Sequence, residues 1–344
     1  MTGWLKLTNE QRKVTIGQVG KLSGINAKAI EKDWWVTLTL KALFQSTYSK
    51  YIVFKGGTSL SKCWKLIARF SEDIDIALSP EVFGMAYIEN PSKSVVTRLK
   101  KKGCSFASNE LKAELEDQFL SLGVPAGMVI TNAAPIATRF PDKDPQTLYI
   151  KYPSLYEPSN YIADEVKVES SVRSLRIPYT TVPIQSLLNE INPNPAYREE
   201  PFNVDAVEPR KTFLEKAFLL HEEFCKSDRS KIKSERMSRH LYDLGSIMNT
   251  SFGRDALDDI KLYEYLIKHR EWYNRISWVD YQSLKHATLS FIPPDDILDV
   301  YREDYERMQE QMVYGDALTF DDLIDQLKML QEEFRKIGRM FMAE

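Results

Sequence analysis

Between Tyr51 and Pro80 the chain reads YIVFKGGTSLSKCWKLIARFSEDIDIALSP, and this stretch limits what the rest can fold into. Tyr51 to Phe54 is a short aromatic and β-branched run, which predicts a buried strand. Lys55-Gly56-Gly57 breaks it. Thr58 and Ser59 are good helix N-cap residues, and Leu60, Trp64 and Ile67 recur at helical spacing, which predicts a helix. Asp73 to Leu78 then alternates acidic and apolar side chains and predicts a second strand. That alternation puts Asp73 and Asp75 on one face and Ile74 and Ile76 on the other.

The order of these pieces suggests chemistry. A Gly-Gly turn lets backbone N–H groups approach a phosphate closely, and a helix start behind it favours negative charge. Two carboxylates on one strand face suit hard divalent cations, of which Mg²⁺ on substrate phosphates is the common case. Two such ions can clamp the attacking and leaving oxygens of an in-line displacement at phosphorus. Each piece also has a plainer reading, the glycines as a tight turn and the acids as a solvated strand edge.

Strand, Gly-Gly-Thr-Ser, helix and Asp-Ile-Asp-Ile, in that order, resemble the motif of nucleotidyltransferases that share the polymerase-β-like core. The gap from Gly57 to Asp73 is slightly longer than the usual form. KGGTSLSK followed by RFSEDIDI is similar, in its detailed wording, to the AbiEii toxin family of bacterial abortive-infection and toxin–antitoxin systems. The resemblance runs from about residue 25 to 340.

Bulk properties leave that direction open. A chain of 344 residues can bury a substantial core in one large or two moderate domains. With 46 basic against 49 acidic residues the net charge is −3, so a nucleic-acid partner would have to meet a local basic surface. Cys63, Cys104 and Cys225 form no CxxC pair, which argues against a disulfide framework or zinc site and fits a reducing cytoplasm. No apolar run approaches membrane-spanning length, and no signal-peptide core opens the chain.

In chain order, Val14–Ser23 and Ala27–Phe44 read as helices. The second carries Glu31-Lys32-Asp33-Trp34-Trp35, whose tandem tryptophans read as core. AIEKDWWVTLTLKALF resembles the segment before the family's Gly-Gly motif, which implies packing behind the sheet, with a direct role for Glu31 or Asp33 as the lesser reading. Residues Pro91 to Leu122 have helical spacing and include the basic run Lys100-Lys101-Lys102, a solvated face or a phosphate contact. Gly127 to Phe140, Gln146 to Tyr152 and Tyr161 to Ser171 read as strands. The last sets Glu165, Lys167 and Glu169 against Val166 and Val168, and can equally be a solvent-facing ladder. Pro178 to Pro209 is proline-rich and reads as a connection between lobes. Helices follow from Arg210 to about Cys225, from Ser238, and through the tail from Asp255 to Glu344. Thr319 caps the last helix with Asp322, and Met308, Met312 and Met329 read as core.

The resemblance adds roles. VKVE followed by Arg173 is similar to the family's third strand, which implies Glu169 as a third metal carboxylate, with Glu165 as alternate. Arg173 and Arg176 are candidates for phosphate contact, and surface pairing is the other reading. RKTFLEKAFLLH resembles the third motif, which implies that Lys216 reaches the nucleotide. RHLYDL resembles the fourth, whose acid matches Asp243: it would orient the nucleophile, position Lys216 or act as a base. His221 and His240 read as structural, since no Cys/His cluster surrounds them.

The expectation is therefore an α+β protein. A nucleotidyltransferase-fold lobe with a mixed sheet occupies residues 1–185, a helical lobe 205–344, and the site lies in the cleft between them. Asp73, Asp75 and Glu169 would hold Mg²⁺. Gly56, Gly57, Thr58 and Ser59 would cradle the phosphates, and Lys216 would neutralise them. The resemblance implies nucleoside monophosphate transfer from a nucleoside triphosphate to an acceptor hydroxyl, RNA and in particular the tRNA 3′ end among relatives, and a cognate antitoxin encoded nearby. A small-molecule or protein hydroxyl as acceptor, or a nucleotide-binding module without turnover, are the other classes.

Overall fold

Strands β1 (Ile52–Lys55) and β2 (Ile74–Leu78) pair antiparallel in the computed structural model, which describes residues 1–136, 141–158 and 162–343. The register sets Phe54 opposite Ile76 and Lys55 opposite Asp75. Around this pair grows a sheet of order β3-β4-β5-β2-β1-β7-β6. The other strands are β3 (Ile130–Ala133), β4 (Gln146–Lys151), β5 (Glu165–Ser171), β6 (Tyr179–Ile184) and β7 (Phe202–Val207). The β2/β5 and β1/β7 pairs are parallel and the rest antiparallel, so the sheet is mixed and the protein α+β.

Alternation decides which residues enter the core. Ile74, Ile76, Val166 and Val168 are fully buried, while Asp73, Asp75, Glu165, Lys167 and Glu169 are half-buried on the other face. Helix α1 (Asn9–Ser23), opened by a Thr8/Gln11 capping box, leads into α2 (Ala27–Gln45). In α2, Trp35 stacks on Tyr152 at 4.9 Å between ring centres, and Trp34 Nε1 donates to Glu199 at 2.9 Å. Further helices are α3 (Gly56–Lys62), α4 (Lys93–Phe106), α5 (Lys112–Ser121) and α6 (Leu187–Ile191).

The chain divides into two compact units. One comprises Met1–Cys63, Phe70–Ile88 and Ser92–Val207; the other comprises Trp64–Arg69, Glu89–Pro91 and Glu208–Glu344. The second unit is helical: α7 (Pro209–Phe224), α8 (Ser238–Met248), α9 (Ser251–Asp258), α10 (Ile260–Tyr273), α11 (Leu298–Met312) and α12 (Phe320–Ala343). Proline at the start of α7 fills a position whose N–H has no helical acceptor. Thr319 and Asp322 cap α12 reciprocally, as their spacing suggests.

Four expectations need correction. The helix after the glycines stops at Lys62, because Lys65 takes a left-handed backbone (φ 52°), so the helical spacing of Trp64 and Ile67 is coincidental. Residues 178–209 are not a bare connection: β6, α6 and β7 lie there and complete the sheet, with Pro183 tolerated on edge strand β6. Met308 and Met312 are buried, but Met329 is 68% exposed. Among the described residues of the strand expected over Gly127–Phe140, only Ile130–Ala133 form one, and residues 137–140, like Tyr161 of the next expected strand, lie outside the described residues.

Candidate active site

Glycine is required at position 56 for two reasons. Its φ is +82°, and a Cβ there would come within 2.2 Å of Asp75 Oδ2. The turn thus lets the Asp75 carboxylate lie against the backbone. Thr58 ties the next strand to the same turn: its hydroxyl donates to the Asp73 carbonyl at 2.5 Å and shares a 2.9 Å hydrogen bond with Ser71 Oγ. Ser59 Oγ donates to the Gly56 carbonyl at 2.9 Å. Both hydroxyls are buried and bond within the turn, while Gly56 and Gly57 stay partly exposed. The N-cap position belongs to Lys55, not to Thr58 or Ser59.

The parallel register sets Asp75 beside Glu169 and Ile74 beside Val168. The β2/β5 rungs run from Val168 to Ser171, so the alternate acid Glu165 lies outside them. Asp73 precedes β2 on the face of Asp75. The oxygens offered by Asp73, Asp75 and Glu169 have the chemistry a hard divalent cation requires. Among the described residues, however, no three His, Cys, Asp or Glu side chains already form a metal-binding group. One reason is local: Glu169 Oε1 is held by Lys167 Nζ at 2.5 Å. Burial pulls the Lys167 pKa down, but Glu169 and Asp73 outweigh it and hold the pKa above its ordinary value. A protein cation therefore sits among these carboxylates.

Arg173 is also engaged, its Nε on Asp144 at 2.7 Å and its Nη2 on the Asp144 carbonyl at 2.8 Å. Arg176 donates to the Lys50 carbonyl, and Lys100 pairs with Asp142 at 2.7 Å.

In the helical unit, Lys216 of α7 and Asp243 of α8 meet at 2.8 Å. Asp243 is fully buried and also receives a two-pronged ion pair from Arg69, Nε to Oδ1 and Nη2 to Oδ2, both at 2.7 Å. Arg69 belongs to this unit through the segment Trp64–Arg69, which lies between Gly57 and Asp73, and bridges in strand fashion to Val313. Burial alone would raise the Asp243 pKa, but Arg69 and Lys216 hold it well below the usual carboxylate range. Both Asp243 oxygens are thus bonded to cations, Oδ1 to Arg69 and Oδ2 to Arg69 and Lys216. Burial lowers the Lys216 pKa, Asp243 opposes that, and Arg69 adds to it. His240 Nδ1 lies 3.3 Å from Lys216 Nζ. Burial, then Lys216 and Arg239, drive the His240 pKa well down, so the ring is neutral and Nδ1 accepts from the ammonium. Arg69 escaped the sequence reading because nothing local marks an Arg whose partner is 174 residues away.

His221 is structural, as expected. Its Nδ1 accepts from Ser290 N–H at 2.9 Å and its Nε2 meets Ser283 Oγ at 2.8 Å.

A mixed sheet with Asp-Ile-Asp behind a Gly-Gly turn defines a nucleotidyltransferase-type protein. The family description "Nucleotidyl transferase AbiEii toxin, Type IV TA system" matches residues 39–326, and the chain belongs to this family of nucleotidyltransferase toxins. Among solved structures it is similar to MenT4, a nucleotidyltransferase toxin from Mycobacterium tuberculosis H37Rv, at 16% identity and TM-score 0.43, over 96% of this chain and 99% of that one. No curated protein sequence matches it. No described helix is long and apolar enough to cross a membrane.

Proposed function

We propose that this nucleotidyltransferase toxin transfers a nucleoside monophosphate from a nucleoside triphosphate to an RNA hydroxyl, with the tRNA 3′ end as first candidate, in a Mg²⁺-dependent reaction. The observation that carries this reading is the packing of Asp75 against Gly56, which puts a carboxylate beside a turn that admits close backbone approach. Asp73 and Asp75, with Glu169 once it leaves Lys167, would hold the metal. When bound, the metal supplies charge neutralisation at the phosphates and polarises the reacting oxygens. Gly56 and Gly57 offer backbone N–H groups to the triphosphate, while Thr58 and Ser59 keep that turn in shape. Lys216, oriented by Asp243, offsets charge that builds on the leaving pyrophosphate. Arg173 reaches phosphate only by loosening its hold on Asp144. The acceptor oxygen bonds to the α-phosphorus, the bond to pyrophosphate breaks, and the hydroxyl proton passes to solvent. The type IV family supports an antitoxin as regulator, and three cysteines outside any disulfide fit a reducing cytoplasm.

The test is incubation of the protein with Mg²⁺, each α-³²P-labelled nucleoside triphosphate in turn and total cellular RNA, beside an Asp75→Ala control. Label in a tRNA-sized band, lost in the control, is the expected result and identifies the base preferred. Label on protein or on a small molecule overturns the RNA acceptor. Bound nucleotide with no label in any fraction returns the chain to a binding role without turnover.

A further inference from the structure

Helix α2 carries four charged residues in its first two turns, Lys28, Glu31, Lys32 and Asp33, and each is only 2 to 7% exposed. Together they hold several segments of the sheet unit. Lys28 pairs with Asp164 at 2.7 Å and donates to the Glu157 carbonyl at 2.8 Å. Glu31 accepts from Ser154 Oγ at 2.7 Å and from Leu155 N–H at 2.8 Å. Lys32 pairs with Glu72 at 2.6 Å and donates to the Ala163 carbonyl at 3.0 Å. Asp33 accepts from Lys62 Nζ at 2.6 Å and from Leu187 N–H at 2.8 Å.

The partners are not scattered. Glu72 immediately precedes Asp73. Ala163 and Asp164 lead directly into β5, which carries Glu169. Lys62 closes the short helix that Gly56 and Gly57 open. So the two strand approaches and the glycine turn hang from one helix, through an ion pair to Glu72 and hydrogen bonds to Ala163, Lys62 and Leu187, all made by the neighbouring residues Lys32 and Asp33. Stability does not require this arrangement, because well-packed apolar side chains commonly match or exceed a buried ion pair. Apolar contact lacks direction, whereas a charged N–H···O bond fixes the separation of the groups it joins.

We propose that Lys32 and Asp33 are positioning residues for nucleotidyl transfer, setting the heights of Asp73, Glu169 and the Gly56-Gly57 turn against one another. The proposal rests on the reading of Asp73, Asp75 and Glu169 as metal carboxylates.

The experiment uses the full chain and electron paramagnetic resonance titration with Mn²⁺, together with a non-hydrolysable analogue of each nucleoside triphosphate. Near-ultraviolet circular dichroism from the six tryptophans and a thermal melt report the fold. The variants are the apolar pair Lys32→Met/Glu72→Met and the milder Glu72→Gln, with Asp75→Asn as reference. The expected result is a native tryptophan signal and melt for the apolar pair, with Mn²⁺ affinity at least tenfold weaker than in the unaltered chain. For Glu72→Gln the expected loss is at least threefold. A folded apolar pair with unaltered Mn²⁺ affinity overturns the proposal. Should that pair fail to fold, Glu72→Gln decides, and unaltered affinity there overturns it equally. If Asp75→Asn leaves Mn²⁺ binding untouched, the metal-carboxylate reading itself falls, whatever the other variants do.

Discussion

The carboxylate of Asp75 lies against the α-carbon of Gly56, so closely that a methyl group there would meet Oδ2 at 2.2 Å. Position 56 also has φ +82°, where an L side chain is strained by about 1–3 kcal/mol. Gly56→Ala therefore has to move Asp75, the turn or both. The expected outcome is a lower melting temperature and loss of most labelling of RNA by α-³²P nucleotide. Gly17, with open space at its Cβ position, is the control: Gly17→Ala in α1 should leave labelling intact. Equal labelling by Gly56→Ala and the unaltered chain would separate Asp75 from the chemistry.

An Asp243 that holds Lys216 and an Asp243 that takes a proton differ in pH dependence. Burial depresses the Lys216 pKa, and Asp243 is the main force opposing that. Asp243→Asn removes the opposition and lowers the Lys216 pKa further. The ammonium is then lost as pH rises through that lower value, so the variant should be most active at its acidic end and fade toward alkaline pH. A variant lacking a general base would show no such recovery at low pH. Loss of the shared counter-ion should also cost about 3–5 kcal/mol, so the pH–rate profile is measured alongside thermal melts.

How far the sequence foretold these relationships depended on how local they are. The alternation from Asp73 to Leu78 and from Glu165 to Ser171 correctly gave two strands with their charged faces, because period-two patterning needs no distant partner. The rung that joins Asp75 to Glu169 was legible only through family resemblance. Strands β6 and β7 were hidden by prolines, since Pro183 is compatible with an edge strand as well as with a loop. The charges of α2 gave no sign of burial: a Lys-Asp-rich turn looks solvated until Glu72, Lys62 and Asp164 arrive from elsewhere in the chain. Arg69 was missed for the same reason.

Lys167 holds Glu169 at 2.5 Å and stands where a divalent cation would compete. Its side chain is 34% exposed, so removing it should disturb the fold by no more than about 0.5 kcal/mol. Lys167→Met frees Glu169 to join Asp73 and Asp75. Mn²⁺ affinity, read by paramagnetic resonance, should rise severalfold. Unchanged affinity in Lys167→Met, with the expected loss in Asp75→Asn, would remove Glu169 from the metal set and leave the two aspartates.

The helical unit should be acid-sensitive through His286. This ring is 7% exposed and stacks on Tyr263 with centroids 3.5 Å apart. Burial pushes its pKa down to about 4, against about 6.5 in an unfolded chain. Between those values the unfolded chain binds a proton that the folded ring refuses. The stability this group contributes is therefore complete above pH 6.5 and declines as pH falls toward 4, at about 1.4 kcal/mol per pH unit. His286→Phe keeps an aromatic ring against Tyr263 and cannot titrate. Chemical denaturation at a series of pH values should give a shallower loss of stability for the variant inside that window, and parallel curves above it. Parallel curves throughout would mean that folding does not lower the His286 pKa and would sink the prediction.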